Sequence, residues 1–86
     1  MKKVVKRVSR RSFREYIGTV ITVYCANYIY TGKLVEIDPL YLVLDNSGVV
    51  YETGPYSEPE WRDVQMIPKG RWNVMLNSIE SFGILK

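Results

Sequence analysis

Histidine is absent from this chain, and cysteine occurs once, as Cys25. The first absence removes the commonest general base and the commonest metal ligand. The second excludes an internal disulfide framework and a cysteine-based structural zinc site. Apolar runs fall far short of the ~20 residues that span a bilayer as a helix. The basic start lacks the apolar stretch and cleavage site of a signal peptide, so a soluble, cytoplasmic protein is expected. No internal repeat, low-complexity segment or second domain is visible, and 86 residues suffice for one domain with one modest core. Aromatic residues, by contrast, are plentiful: seven Tyr, two Trp and two Phe argue against disorder.

The net charge of +3 conceals an uneven distribution. Residues 1–14 carry Lys2, Lys3, Lys6, Arg7, Arg10, Arg11 and Arg14 and no acid, whereas residues 15–86 carry five basic and nine acidic side chains. A mildly acidic body follows a strongly basic arm. Such an arm attracts phosphate, and release of condensed counterions favours nucleic-acid binding. It equally suits a solvated terminus that aids solubility or assembly. A membrane partner is not expected, because Val4, Val5, Val8 and Phe13 offer little insertion area.

Residues 1–8 read as the arm and Ser9 to Ile17 as a short helix. Ser12 and Glu15 have capping-box spacing, Ser9 is an alternative cap one turn earlier, and Phe13, Tyr16 and Ile17 fall on one face. Gly18 stops the helix. From Thr19 the period changes to two. Val20 to Cys25 is β-branched and aromatic, Ala26-Asn27 is a turn, and Tyr28 to Ile37 is a second strand with Ile29, Val35 and Ile37 on one face by parity. Gly32 inside that strand permits a sharp bend. Asp38-Pro39 is a turn. Leu40 to Leu44 is a third strand, apolar enough to be covered on both sides. Asn46-Ser47-Gly48 reads as a turn before an extended run at 49–51. Residues 52–70, with Glu52, Glu58, Glu60, Asp63 and three prolines, read as a long acidic loop with a short extended piece at 64–67, either functional or mobile. Its Tyr56 and Trp61 are either exposed contacts or lids on the core, and the loop is a candidate surface for protein partners. Arg71 to Leu76 and Ile79 to Leu85 are the last strands, joined tightly at Asn77-Ser78. The expected fold is mainly β: a short N-terminal helix, then a five-stranded, strongly bent antiparallel small barrel of SH3-like type.

The order of these signals resembles the Sm/LSm/Hfq family. Ile17-Gly18-Thr19-Val20-Ile21-Thr22-Val23 looks like that family's helix end and first strand. The stretch from Ile29 to Asp38, with its bend glycine and closing acid, is similar to the second strand, and Leu40 to Asp45 to the third. Together they resemble the first Sm motif across residues 9–45. Trp72 to Ile79 has the length of the second motif, but the positions of its Arg-Gly or Lys-His pair read Leu76-Asn77 or Asn77-Ser78 here. The base-holding Asn of the first motif falls on Leu40 or Tyr41.

The resemblance implies a homo-oligomeric ring of five to seven or more subunits. It also implies that single-stranded RNA binds the inner rim through the loops at 38–41 and 76–78. Tyr41 would then stack a base, with Leu40 beside it, and Asn77 and Ser78 would hydrogen-bond base edges. Each also has an ordinary reading: Tyr41 as a barrel aromatic, Asn77 as a turn residue and Asp38 as a loop cap. Lys6, Arg7, Arg10, Arg11 and Arg14, repeated around a ring, would make a positive face for phosphates. No catalysis and no cofactor are expected, since the chain lacks His, a Ser paired with a base, and a Gly-rich phosphate loop. Glu36 and Asp38 share a strand face and could hold a divalent metal, but such a pair more often stays solvated. Cys25 reads as a small buried hydrophobe. The alternative function is a structural small barrel that assembles without nucleic acid.

Overall fold

The computed structural model describes residues 13–86. Lys6, Arg7, Arg10 and Arg11 of the arm, with residues 9–12 of the expected helix, lie outside the described residues. The described part of that segment is Phe13, in helical conformation, and a 3-10 turn, Arg14–Tyr16. Both ends are pinned. Phe13 is fully buried against Phe82, with ring centroids 4.1 Å apart, and the Gly18 N–H donates to the Leu34 carbonyl at 2.7 Å. Gly18 sits at φ +91°, open to glycine at no steric cost, and the chain is already extended at Ile17. Tyr16 meets Phe82 edge-on at 5.3 Å, whereas Ile17, expected on the same face, is exposed.

Six antiparallel strands follow: β1 (Val20–Cys25), β2 (Ile29–Ile37), β3 (Tyr41–Glu52), β4 (Asp63–Met66), β5 (Trp72–Met75) and β6 (Ile79–Gly83). They form one sheet in the order β4-β3-β2-β1-β6, with β5 also beside β3. The first half of β3 pairs with β5 and the second half with β4. The strand expected over Arg71 to Leu76 is β5, and the extended piece expected at 64–67 is a further strand, β4, on the same edge of β3. Pro68, which has no N–H for the ladder, lies in the break between them.

The turn expected at Asn46-Ser47-Gly48 is instead a kink inside one long strand. Thr31 pairs with Gly48 and Lys33 with Asp45, so β3 carries one residue more than β2 across this step, and Asn46 adopts φ +49°. The extra residue fits because Gly32 lies opposite: a Cβ there would meet Leu44 Cβ and Ser47 Cβ at 3.0 Å and the Asp45 carbonyl at 3.2 Å. A second bulge, between Leu34 and Glu36, shifts β2 by one residue. It overturns the parity expected for this strand. Leu34 is buried and Ile37 packs on the core, while Ile29 and Val35 are outside the core cluster.

That cluster joins Phe13, Ile21, Val23, Leu34, Leu42, Leu44, Val74 and Ile79 on the concave face. Burying each large aliphatic side chain there contributes about 1.5–3 kcal/mol. Leu42, Val43 and Leu44 are all buried, so β3 is covered on both sides. On the opposite face Thr22 and Thr31 are buried as well, and the loop after β3 reaches it: the Tyr56 hydroxyl meets the Tyr24 hydroxyl at 2.7 Å.

The sheet curls until its β5 and β6 ends are joined by one 3-10 turn, Leu76–Ser78. The Leu76 N–H donates to the Leu40 carbonyl at 2.9 Å, and the Ala26 N–H donates to the Ser78 carbonyl at 3.2 Å. The hydrogen-bonded ladder itself ends at β4 and β5 on one side and at β6 on the other. Among the described residues no helix is long and apolar enough to cross a membrane.

Candidate nucleic-acid interface

The loop between β2 and β3 is closed by its own acid. Asp38 Oδ1 accepts the Leu40 N–H at 3.0 Å, while the Asp38 N–H donates to the Tyr41 carbonyl at 2.9 Å. This Asx-type turn follows from Asp-Pro: the carboxylate replaces a backbone acceptor, and proline fixes the next φ. It leaves Leu40 at the tip, 65% exposed. Tyr41 opens β3, half-buried, opposite Met75 of β5. Asn77 and Ser78 are both exposed in the 3-10 turn after β5.

The Leu76–Leu40 hydrogen bond brings these two loops together. Leu40, Tyr41, Asn77 and Ser78 therefore gather at one end of the sheet. Arg14 is exposed on its own turn.

Beside the loops lies a groove of about 320 Å³, lined by Cys25, Tyr28, Tyr30, Trp72, Met75 and Ser78 among others. The Tyr28 and Tyr30 rings stand 6.2 Å apart, tilted by 54°. Tyr28, Trp72 and Met75 are each exposed. Burial pushes the Tyr30 phenol above its ordinary value, the neighbouring Cys25 adds to this, and a polar contact from Trp72 works the other way. Burial, then Glu80, pushes up the Cys25 thiol, which packs against the core as a small apolar group.

These groove residues escape a reading of the sequence. Tyr28 and Tyr30 alternate at the start of β2 and so share a face, which was a visible signal. That Trp72 would join them depends on the curl, because β2 and β5 are separated by β3.

The surface offers the exposed aromatic side chains of Tyr28 and Trp72 and, from Asn73, Asn77 and Ser78, neutral donors and acceptors. Such a set can stack bases and bond their edges. Glu36 is engaged with Arg71 at 3.9 Å, an exposed pair of small energetic weight. Among the described residues no three His, Cys, Asp or Glu side chains gather as a metal site. Comparison with protein-family models, curated proteins and solved structures finds no match.

Proposed function

We propose that the protein is a non-catalytic, Sm-like, ring-forming protein that binds single-stranded RNA. The observation that carries this reading is the Leu76–Leu40 hydrogen bond, which sets loops 38–41 and 76–78 side by side next to an aromatic groove. Bases stack on Tyr41 and bond to Asn77 and Ser78, and the arm, Lys6 to Arg14, contacts phosphates. The sheet has one edge made by β4 and β5, each paired only with β3, and another made by β6, and these differ. Edge-to-edge pairing between copies is then head-to-tail, the kind of contact that closes into rings.

Fluorescence anisotropy with oligo-U, oligo-A and single-stranded DNA at two salt concentrations tests this. Removal of residues 1–11 should weaken binding and flatten its salt dependence, by about 0.7 in log–log slope per lost phosphate contact. Unchanged affinity and slope would remove the arm from the mechanism. A second reading, an assembly module without nucleic acid, is favoured by the same edges. It predicts oligomers with no oligonucleotide binding at either salt.

A further inference from the structure

The end of the chain is held in an unusual way. The Lys86 ammonium donates to the backbone carbonyls of Thr53 at 2.8 Å, Pro55 at 3.0 Å and Glu60 at 2.8 Å. Its nitrogen also lies 4.9 Å from the centroid of the Trp61 ring. No carboxylate takes part: Lys86 forms no ion pair among the described residues, although Glu58 and Glu60 are in the same loop. A lysine has three N–H donors and no acceptor, so three carbonyls satisfy it completely, and the indole face supplies further attraction for the positive charge. The loop is shaped for this. The Glu58 N–H donates to the Pro55 carbonyl at 3.1 Å, a turn that presents the Pro55 oxygen to both donors.

A cage of three converging carbonyls and one ring is selective by geometry. It fits the tripod of a primary ammonium. A planar guanidinium, whose donors lie in one plane, cannot address three carbonyls converging from different directions. A quaternary ammonium has no N–H to donate. The charge pattern agrees, since residues 52–63 carry Glu52, Glu58, Glu60 and Asp63 against Arg62 alone.

We propose that loop 53–61 is a receptor for a primary alkylammonium group, occupied within the chain by Lys86, and that a free alkylammonium takes the same carbonyls when the Lys86 ammonium is removed. The tethered lysine is present at high effective concentration and so excludes free competitors. This proposal is independent of the nucleic-acid reading.

The test uses Lys86→Met in a Trp72→Phe background, so that Trp61 is the sole indole. Lys86 is not part of the core cluster. The Trp61 emission of this variant should shift to the red. n-Butylammonium, which reproduces the lysine tail, should restore it saturably, while butylguanidinium and tetramethylammonium should not. The protein with Lys86 intact should respond to none of the three. Emission unchanged by Lys86→Met would overturn the proposal, as would equal recovery with the guanidinium compound. If the Met variant fails to fold, Lys86→Arg preserves charge and length and gives the same reading: a red shift reversed by n-butylammonium supports the cage, and an unshifted indole refutes it.

Discussion

The bend that makes this sheet curl depends on the missing side chain at Gly32, and Gly32→Ala measures that dependence. The new Cβ would lie 3.0 Å from both Leu44 Cβ and Ser47 Cβ and 3.2 Å from the Asp45 carbonyl, where ordinary contact begins near 3.4 Å. None of the three is the far end of a flexible side chain. Leu44 and Ser47 are fully buried, and the kink at Asn46 lies between them. The strands must therefore separate by several tenths of an ångström along the bulged stretch. Overpacking of this kind costs about 1–3 kcal/mol, and two simultaneous contacts with rigid groups place Gly32→Ala at about 2–3 kcal/mol. In a domain of this size that lowers Tm by roughly 10–20 °C. Gly83→Ala is the control: nothing lies within 4 Å of its Cβ and its φ is not positive, so its stability should change little. Thermal and urea denaturation of both variants decide the matter. If Gly32→Ala melts with the parent protein, or Gly83→Ala is equally damaged, the close approach at Gly32 does not set the bend.

Ser47 Oγ is buried with no hydrogen-bond partner. Ser47→Ala removes an uncompensated hydroxyl and should raise stability by about 1 kcal/mol, read by urea denaturation. Asp38→Ala removes the acceptor for the Leu40 N–H and should cost about 1 kcal/mol, while accelerating amide exchange at Leu40. The Tyr24 phenol is pushed up to about 12, first by its hydrogen bond with Tyr56 and then by burial. Because its folded value is raised, the Tyr24–Tyr56 contact contributes in full below pH 10 and is lost as pH rises towards 12. Spectroscopic titration should show Tyr24 and Tyr30 titrating late, and Tyr56→Phe should return Tyr24 alone towards the ordinary range; a titration unchanged by Tyr56→Phe would place the cause elsewhere.

Local chemistry made much of the fold legible. β1 runs over the Val20–Cys25 stretch that its β-branched residues mark out, and Asp38-Pro39 forms the turn its residue types require. The short extended piece inside the acidic loop is β4, one residue earlier than its apolar residues indicate. Errors arose where a distant partner overrides a local preference. Asn46-Ser47-Gly48 has every mark of a turn, yet pairing on both sides of β3 and the space over Gly32 keep it within a strand. Val35 has the parity of a core residue until the neighbouring bulge shifts the count. Tyr56 and Trp61 divide the alternatives open to them: Tyr56 is exposed but bonded to Tyr24, and Trp61 is half-buried near Lys86. Of the candidate interface, Leu40, Tyr41, Asn77 and Ser78 were legible one by one. Their meeting, and the aromatic groove beside them, depend on the curl. The Lys86 cage joins positions 26 to 33 residues apart, and no local pattern announces it.

Native mass spectrometry of the full-length protein, purified without nuclease, tests the central claim most directly, because it reports stoichiometry and retained nucleic acid together. A ring-forming RNA binder predicts one closed oligomer of five or more subunits carrying RNA that dissociates as salt is raised. A monomer at micromolar concentration, free of nucleic acid, would contradict it.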